Sequence, residues 1–250
     1  MICQQTPDKH PTKDVVYRNL GEKMISNLLE TNEHKKTEDN TVTNGLLFKY
    51  DYSDHGTGFS QWKDLSGNNN HGLMTGFNAN SWRDDSLVFT SDCRVDTRIH
   101  QNRLPNSTIE AIVQYTSYRR YSAPIGPLNG DAGFGFGQIG TGTISQDKYF
   151  FIQALGGGSG GIIAYNKYYH MIMTFSNNNL KGYVDNVLKV NENFTVKYVP
   201  LNQNITLGIG ELRGNLGWSG NFRYCAMYNR VLSPNEIAQN YQAHVANEYL

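Results

Sequence analysis

From Asn44 onward, short apolar runs alternate with turn residues. The runs return about every ten residues, the spacing of an antiparallel sandwich. The pattern predicts strands over residues 45–53 (GLLFKYDYS), Ser86–Thr90, Thr108–Tyr115, Gly133–Gly137, Tyr149–Ala154, Gly161–Tyr165, Tyr169–Ser176, Leu180–Asp185, Ile205–Ile209 and Phe222–Tyr228. Residues 167–189, KYYHMIMTFSNNNLKGYVDNVLK, make the clearest pair, with Asn177–Asn179 as the turn. The glycine-rich runs Gly126–Gly142 and Gly156–Gly161 read as loops and hairpins. Neither is a phosphate loop, because no GK[ST] and no helical period follows.

The period changes at both ends of the chain. After the last strand, Ser233 is suited to cap a helix, and Pro234 sits at the first helical position, where its missing N–H costs nothing. Glu236 completes a capping box. Ile237, Tyr241 and Val245 then recur at four-residue spacing, which predicts an apolar stripe laid on the sheet. At the other end, Val15–Glu30 has a helical period, with Val16, Leu20, Met24 and Leu28 in one row. Gly21 weakens that helix by about 1 kcal/mol relative to Ala. Residues 34–44 (HKKTEDNTVTN) read as a linker. The organisation expected is therefore an extension over residues 1–43 and an all-β domain over 44–250. The stripe of the extension needs a surface. It either packs back on its own sandwich or serves as an anchor, docking on other chains or trimerising.

Composition narrows the partners. The 250 residues carry 22 basic and 22 acidic side chains, so the chain is formally neutral. Nucleic acid favours a basic face, so neutrality argues against it as a partner. No apolar run reaches the roughly 18 residues of a membrane span. The first residues, MICQQTPDKHPTKD, have no apolar core of an export signal. Cys3, Cys93 and Cys225 are odd in number and lack metal or redox spacing. They read as free thiols, with a Cys93–Cys225 disulfide as the alternative.

Candidate chemistry is sparse. Within the predicted strands the carboxylates are Asp51, Glu110 and Asp185, far apart in sequence. Ser159 is the centre of a G-x-S-x-G, but a nucleophile elbow needs a strand before it and a helix after it. His170 lies mid-strand and reads as a half-buried strand residue rather than a ligand. Binding is better served. Tyr118, Arg119, Arg120 and Tyr121 sit between two predicted strands, where aromatic faces and guanidinium groups suit a sugar. Trp82 is a further candidate for sugar stacking, whereas Trp62 and Trp218 read as packing residues.

Three blocks carry a resemblance. Gly220, Tyr228, Asn229, Arg230, Leu232, Ser233, Glu236 and Ile237 match a terminal pattern G-x-I-D-E-V-R-I-Y-N-R-A-L-S-x-x-E-I, with Arg223 and Tyr224 in place of its acidic pair. Asp64, Ser66, Gly67, Asn68, Asn70 and Gly72 match D-x-S-G-N-x-N-x-G. Tyr183–Asn186 is similar to Y-V-D-G, with Asn186 in the glycine position. The chain thereby resembles laminin-G-like, concanavalin-A-like lectin domains, as found in structural proteins of tailed bacteriophages. The resemblance implies a two-sheet antiparallel jelly-roll sandwich closed by a short C-terminal helix. It also implies a calcium ion, for which Asp64 and Asn68 would be ligands.

Related glucanases carry E-x-D-x-x-E on one strand, and no E-x-D occurs here. The expected function is accordingly a non-enzymatic virion structural or adhesion protein that decorates a phage head, tail or baseplate. It would join other virion proteins through residues 1–43 and meet a host-surface glycan through the jelly roll. The alternative is a carbohydrate-binding module of a secreted or surface protein of a bacterium. A glycoside hydrolase is the third reading.

Overall fold

The computed structural model describes residues 39–54, 56, 58–100, 105–117, 122–127, 135–139, 148–153, 156–162, 164–176, 178–193, 203–209 and 217–250. By its contacts the chain divides into residues 1–39 and 40–250. The anchor residues Val16, Leu20, Met24 and Leu28 lie outside the described residues, as do Cys3 and the loop residues Tyr118, Arg119, Arg120 and Tyr121.

Among the described residues, sixteen strands form two sheets. The first sheet runs β14 (Val187–Asn193), β13 (Asn179–Val184), β12 (Tyr168–Ser176), β7 (Asn106–Tyr115), β16 (Gly220–Tyr228), β5 (Ser86–Phe89) and β4 (Trp82–Arg83), with β1 (Leu46–Asp51) also paired to β16. The second runs β11 (Gly156–Ile162), β10 (Lys148–Gln153), β9 (Gly135–Ile139), β8 (Ala123–Pro127), β15 (Asn204–Ile209), β6 (Arg94–His100), β3 (Gly72–Thr75) and β2 (Gln61–Trp62). Neighbouring strands pair antiparallel, as in β12 against β7 and β16 against β7. This is the two-sheet antiparallel sandwich that the strand spacing predicted.

The middle strands of the first sheet, β12, β7 and β16, are buried on both faces. Ile109, Ala111, Val113 and Tyr115 of β7 point into the sandwich, with Met171, Met173 and Phe175 of β12 beside them. Ile112, Ile172, Tyr224, Ala226 and Tyr228 point the other way, under the C-terminal helix α1 (Pro234–Ala246). A register shift between Phe222 and Tyr224 changes the phase of β16, so that Phe222 faces the sandwich while Tyr224 faces α1. Trp62 and Trp218 are fully buried, as their reading as packing residues required. The Trp218 indole meets Tyr115 edge-on at 5.8 Å and Phe222 at 5.2 Å. Gly220 explains its place in the terminal pattern, since a Cβ there would run into the Trp218 ring.

Turn chemistry follows the residues. Asp185 and Asn186 both have positive φ, 48° and 62°. The β13–β14 hairpin thus has left-handed residues at both turn positions, which Asn and Asp tolerate best after glycine. Ser233 caps α1 as predicted, and the capping box with Glu236 is present. Arg230 strengthens that corner. It donates through Nη2 to Glu236 Oε1 at 2.6 Å and through Nε to the Asn44 carbonyl at 2.8 Å, joining the start of β1 to the start of α1.

Several expectations are corrected. The run Gly156–Gly161 is strand rather than loop: β11 pairs along β10 at the edge of its sheet, where the lack of side chains removes the alternation but not the backbone hydrogen bonds. Ser159 stands opposite Phe150 within that strand, so the G-x-S-x-G is no elbow. Strands β6 and β8 are additions: β6 alternates Val95, Thr97 and Ile99 with charged residues, and the reading of the sequence missed it, while β8, APIGP, carries no clear alternation. Residues 40–43 belong with the sandwich, because Thr41 and Val42 are buried and Val42 N–H donates to Asn240 Oδ1 at 2.7 Å. Cys93 and Cys225 are buried free thiols, which settles that alternative.

The helix face also differs. The buried residues of α1 are Ile237, Asn240, Ala243 and His244, while Val245 is 45% exposed and Tyr241 is half-buried. Of the four-spaced apolar row only Ile237 is fully buried, and the row runs off the contact toward Val245. The centre of the contact is polar because the sheet beneath it carries an ion.

Candidate functional site

That ion is Glu110. It lies on β7 with the apolar residues Ile109 and Ala111 on either side, yet points out of the sandwich toward α1. His170 on β12 is opposite Ile112 while Glu110 is opposite Ile172, so the two are diagonal neighbours on one face. Asn240 and His244 are four residues apart on α1 and reach the same point from above. Glu110, His170, Asn240 and His244 are buried to within about one per cent of complete enclosure.

Four groups surround the carboxylate. Oε1 meets His170 Nε2 at 2.7 Å and His244 Nε2 at 3.0 Å. Oε2 accepts from Asn240 Nδ2 at 2.6 Å and from the Tyr228 hydroxyl at 3.3 Å. An ionised carboxylate can only accept, so both imidazoles give it their Nε2 protons, which fixes their tautomers. Burial by itself would raise the pKa of Glu110; the hydrogen bonds from His170 and His244 override it and hold the carboxyl well below its ordinary range. Burial presses the His244 imidazole below its usual value, against the pull of Glu110. Burial, and then the Glu110 charge, drives the Tyr228 phenol far up. Among the described residues, this is the group of acid and imidazole side chains that could hold a metal ion.

A second latch lies beside it. The Tyr249 hydroxyl donates to buried Asp51 at 2.5 Å. Arg223 lies 3.8 Å over the Tyr168 ring, donates to Asp85 Oδ2 at 2.9 Å and to the Tyr249 carbonyl at 3.0 Å. Arg223 is where the chain departs from the acidic terminal pattern, and there it holds down the residues after α1.

The predicted calcium residues do come together. Asp64 is buried, and its carboxylate accepts from the Lys49 and Ser66 N–H groups at Oδ1 and from Ser66 Oγ and the Asn70 N–H at Oδ2. Asn68 turns its Nδ2 donor to the Leu46 and Leu47 carbonyls. The arrangement closes a turn onto β1, and a cation at Asp64 would have to displace donors already in place. Trp82 is half-buried and meets Trp62 edge-on at 5.7 Å. Neither Trp82 nor the Asp64 turn contributes to the Glu110 cluster. Among the described residues no helix is long and apolar enough to cross a membrane.

Comparison with known proteins agrees with the architecture. Residues 89–238 match the family model of the concanavalin A-like lectin/glucanases superfamily, Laminin_G_3. No curated protein matches the sequence. Among solved structures, the Trypanosoma rangeli sialidase in complex with sialic acid is similar with a TM-score of 0.63 at 15% identity, over 91% of this chain and 39% of the sialidase chain. This chain thus spans well under half of that protein's length. Domain 4 of a GH43 extracellular arabinanase from Geobacillus stearothermophilus, in complex with arabinotriose, has a TM-score of 0.57 at 14% identity, over 79% of this chain and 98% of that domain. At such identities these structures share the fold. With the family model matching more than half of its length, the chain belongs to the concanavalin A-like lectin/glucanases superfamily.

Proposed function

We propose that residues 40–250 are a non-enzymatic recognition module that binds a glycan. The observation that carries this reading is the likeness to a whole arabinanase domain solved with arabinotriose, covering 98% of that domain. The described acid and imidazole groups weigh in the same direction. Glu110 and its histidines are sealed from solvent, where no polysaccharide reaches them. Retaining glycosidases need two carboxyl groups about 5–5.5 Å apart around an open cleft, whereas Glu110 is flanked by imidazoles, an amide and a phenol. The sugar contacts in this proposal are Tyr118, Arg119, Arg120 and Tyr121, with Trp82 as a stacking ring.

The finer reading is a virion component, a phage head, tail or baseplate decoration whose residues 1–39, the part of the expected 1–43 extension outside the sandwich unit, mount the module on other virion proteins. Its support is the row Val16, Leu20, Met24 and Leu28 in a segment outside the sandwich unit. A module of a secreted or surface protein of a bacterium is the second reading, favoured by the extracellular arabinanase domain. One experiment tests the shared part. The full chain is applied to immobilised neutral and acidic oligosaccharides and, separately, incubated with the matching polysaccharides. Saturable binding without release of reducing ends is expected. Release of reducing sugar would overturn the non-enzymatic reading, and absence of binding to every glycan class would overturn the glycan.

A further inference from the structure

The Glu110 cluster has a feature that hydrogen bonding alone does not require. Two imidazoles from different elements direct the same atom, Nε2, at one carboxylate oxygen inside a sealed space. Among the described residues the ion-pair partners of Glu110 are these two histidines, with no lysine or arginine. The three potential ligand atoms lie within 4.8 Å of one another. We propose that Glu110, His170 and His244 bind one divalent transition-metal ion of the zinc class, which staples α1 to strands β7 and β12.

Ligand type selects the ion. Two nitrogens and a carboxylate oxygen suit zinc and its neighbours, while calcium takes six to eight oxygens. Geometry is close to what is needed. Tetrahedral zinc with ligands at 2.0–2.2 Å places adjacent ligand atoms about 3.3 Å apart. The present separations of 2.7 and 3.0 Å must therefore open by a few tenths of an ångström. Asn240 Nδ2 and the Tyr228 hydroxyl hold Oε2 and so orient the carboxylate, the part that outer partners play at metal sites.

Protons balance without a co-reactant. In this arrangement each imidazole presents its Nε2 proton to Glu110. On binding, that proton moves to Nδ1 and the Nε2 lone pair enters the metal. His170 Nδ1 is buried and makes no hydrogen bond, so the change of tautomer breaks none there, but it leaves a buried N–H without an acceptor, a cost that the bond to the metal has to exceed. The dication then faces a carboxylate that shares its enclosure with neutral groups. Coordination to a β-strand pair and a helix at once would bind the folded state only, so the ion would stabilise by mass action.

The test uses the full chain without an added histidine tag. After chelator treatment and dialysis, the protein is titrated with Zn²⁺, and bound metal is measured by elemental analysis alongside the melting temperature. About one tightly held ion per chain is expected, with melting raised by roughly 5–10 °C. Mg²⁺ and Ca²⁺ should not reproduce the shift. His244→Gln keeps an N–H that can face Glu110 but removes the imidazole ligand, and it should fold and lose the zinc response. If His244→Gln does not fold, Co²⁺ added to the unaltered protein reports instead, through visible bands stronger than those of the aqueous ion, as nitrogen and oxygen ligation at low coordination number gives. Melting that is the same with zinc and with chelator would overturn the proposal and leave a purely hydrogen-bonded cluster. So would absent cobalt bands, or a zinc response that survives in His244→Gln. None of these outcomes bears on glycan binding, which has its own readout.

Discussion

The two faces of the first sheet show two ways of closing a protein interior. Facing the second sheet, Ile109, Val113, Met171, Met173 and Phe222 meet Trp62, Trp218 and Phe89 in contacts that are apolar and non-directional. Facing α1, Ile112, Ile172 and Tyr228 surround Glu110, His170, His244 and Asn240, whose contacts are directional. The first face is stabilised by area, at about 25 cal/mol per Å² of apolar surface removed from water. The second depends on completeness. Four donors meet one carboxylate, and losing any member leaves a buried polar group without its partner. An apolar face tolerates substitutions of similar volume, whereas the polar face fixes which residue of the helix stands over which residue of the sheet.

Removing the helix should have the largest effect. Deleting residues 233–250 uncovers Ile112, Ile172, Tyr224 and Tyr228 and exposes Glu110. It takes away a buried Ile237, worth about 1.5–3 kcal/mol, and the whole polar cluster with it. The expected result is a domain that no longer unfolds in one cooperative step at room temperature. Thermal melting by circular dichroism checks it. An unchanged transition would mean that the outer face is an accessory surface and the contrast between the faces is of no energetic weight.

Next comes the carboxylate alone. Glu110→Ala should cost about 3–5 kcal/mol, because it strands two imidazoles, an amide and a phenol in a sealed space. Phe222→Ala on the other face should cost a similar 3–5 kcal/mol, but through a cavity. Recovery tells them apart. Combining Glu110→Met with His170→Leu, His244→Leu and Asn240→Leu should restore much of the loss, since apolar replacement of a whole buried ionic cluster is often neutral. Urea unfolding of the single and combined variants measures this. A combined variant no better than Glu110→Ala would show that the polar face contributes net stability in its own right.

How each face reads in the sequence follows from the same difference. The sandwich was legible because β7, β12 and β16 are apolar along their length, and because Asp185–Asn186, Gly220 and Ser233 mark turns and caps. Two misses fall where side chains carry little signal: strand β11 is mostly glycine, and β8 has Pro124 and Gly126. Strand β6 does alternate, Val95, Thr97 and Ile99 against Arg94, Asp96 and Arg98, but with only two strongly apolar residues its signal is short. The Glu110 cluster was not legible as a cluster, since 60 residues separate Glu110 from His170 and 134 separate it from His244. Each member did leave a local mark: a lone charge in TIEAIV and a lone imidazole in YYHMIM, inside strands apolar on both faces. Asn240 and His244 sat four apart on the helix, and the reading of α1 passed over them in favour of the apolar row beside them.

A smaller effect is expected at the start of α1, where the polar contacts are exposed. Arg230 and, more weakly, the Ser233 N–H hold the Glu236 carboxyl at about 2, against an ordinary 4.5, in spite of partial burial. Because its folded value is lowered, Glu236 contributes its stability above pH 4.5, and that contribution disappears as pH falls toward 2. Glu236→Gln should cost about 1 kcal/mol at neutral pH, the scale of a helix cap. The difference from the unaltered protein should shrink between pH 4.5 and 2. Melting curves across that range test it, and a difference independent of pH would remove the ion pair from the account.

The smallest effect is predicted at Asp64, where a polar cluster resembles the Glu110 site in kind but not in what fills it. Both carboxylates accept four hydrogen bonds. At Glu110 two of the donors are imidazoles, which can give up a proton position and become ligands. At Asp64 three of the four are backbone N–H groups, from Lys49, Ser66 and Asn70, which cannot. A calcium ion, with six to eight oxygens to collect, would have to turn those amides away and unpair the turn from β1. Adding millimolar Ca²⁺ to chelator-treated protein should accordingly shift melting by no more than about 1 °C, since a ligand without affinity for the folded state gives no stabilisation. A rise of several degrees that is lost in Asp64→Asn would show that the loop opens to the ion. The Asp64 turn would then belong with Glu110 among the metal sites instead of marking the boundary of that class.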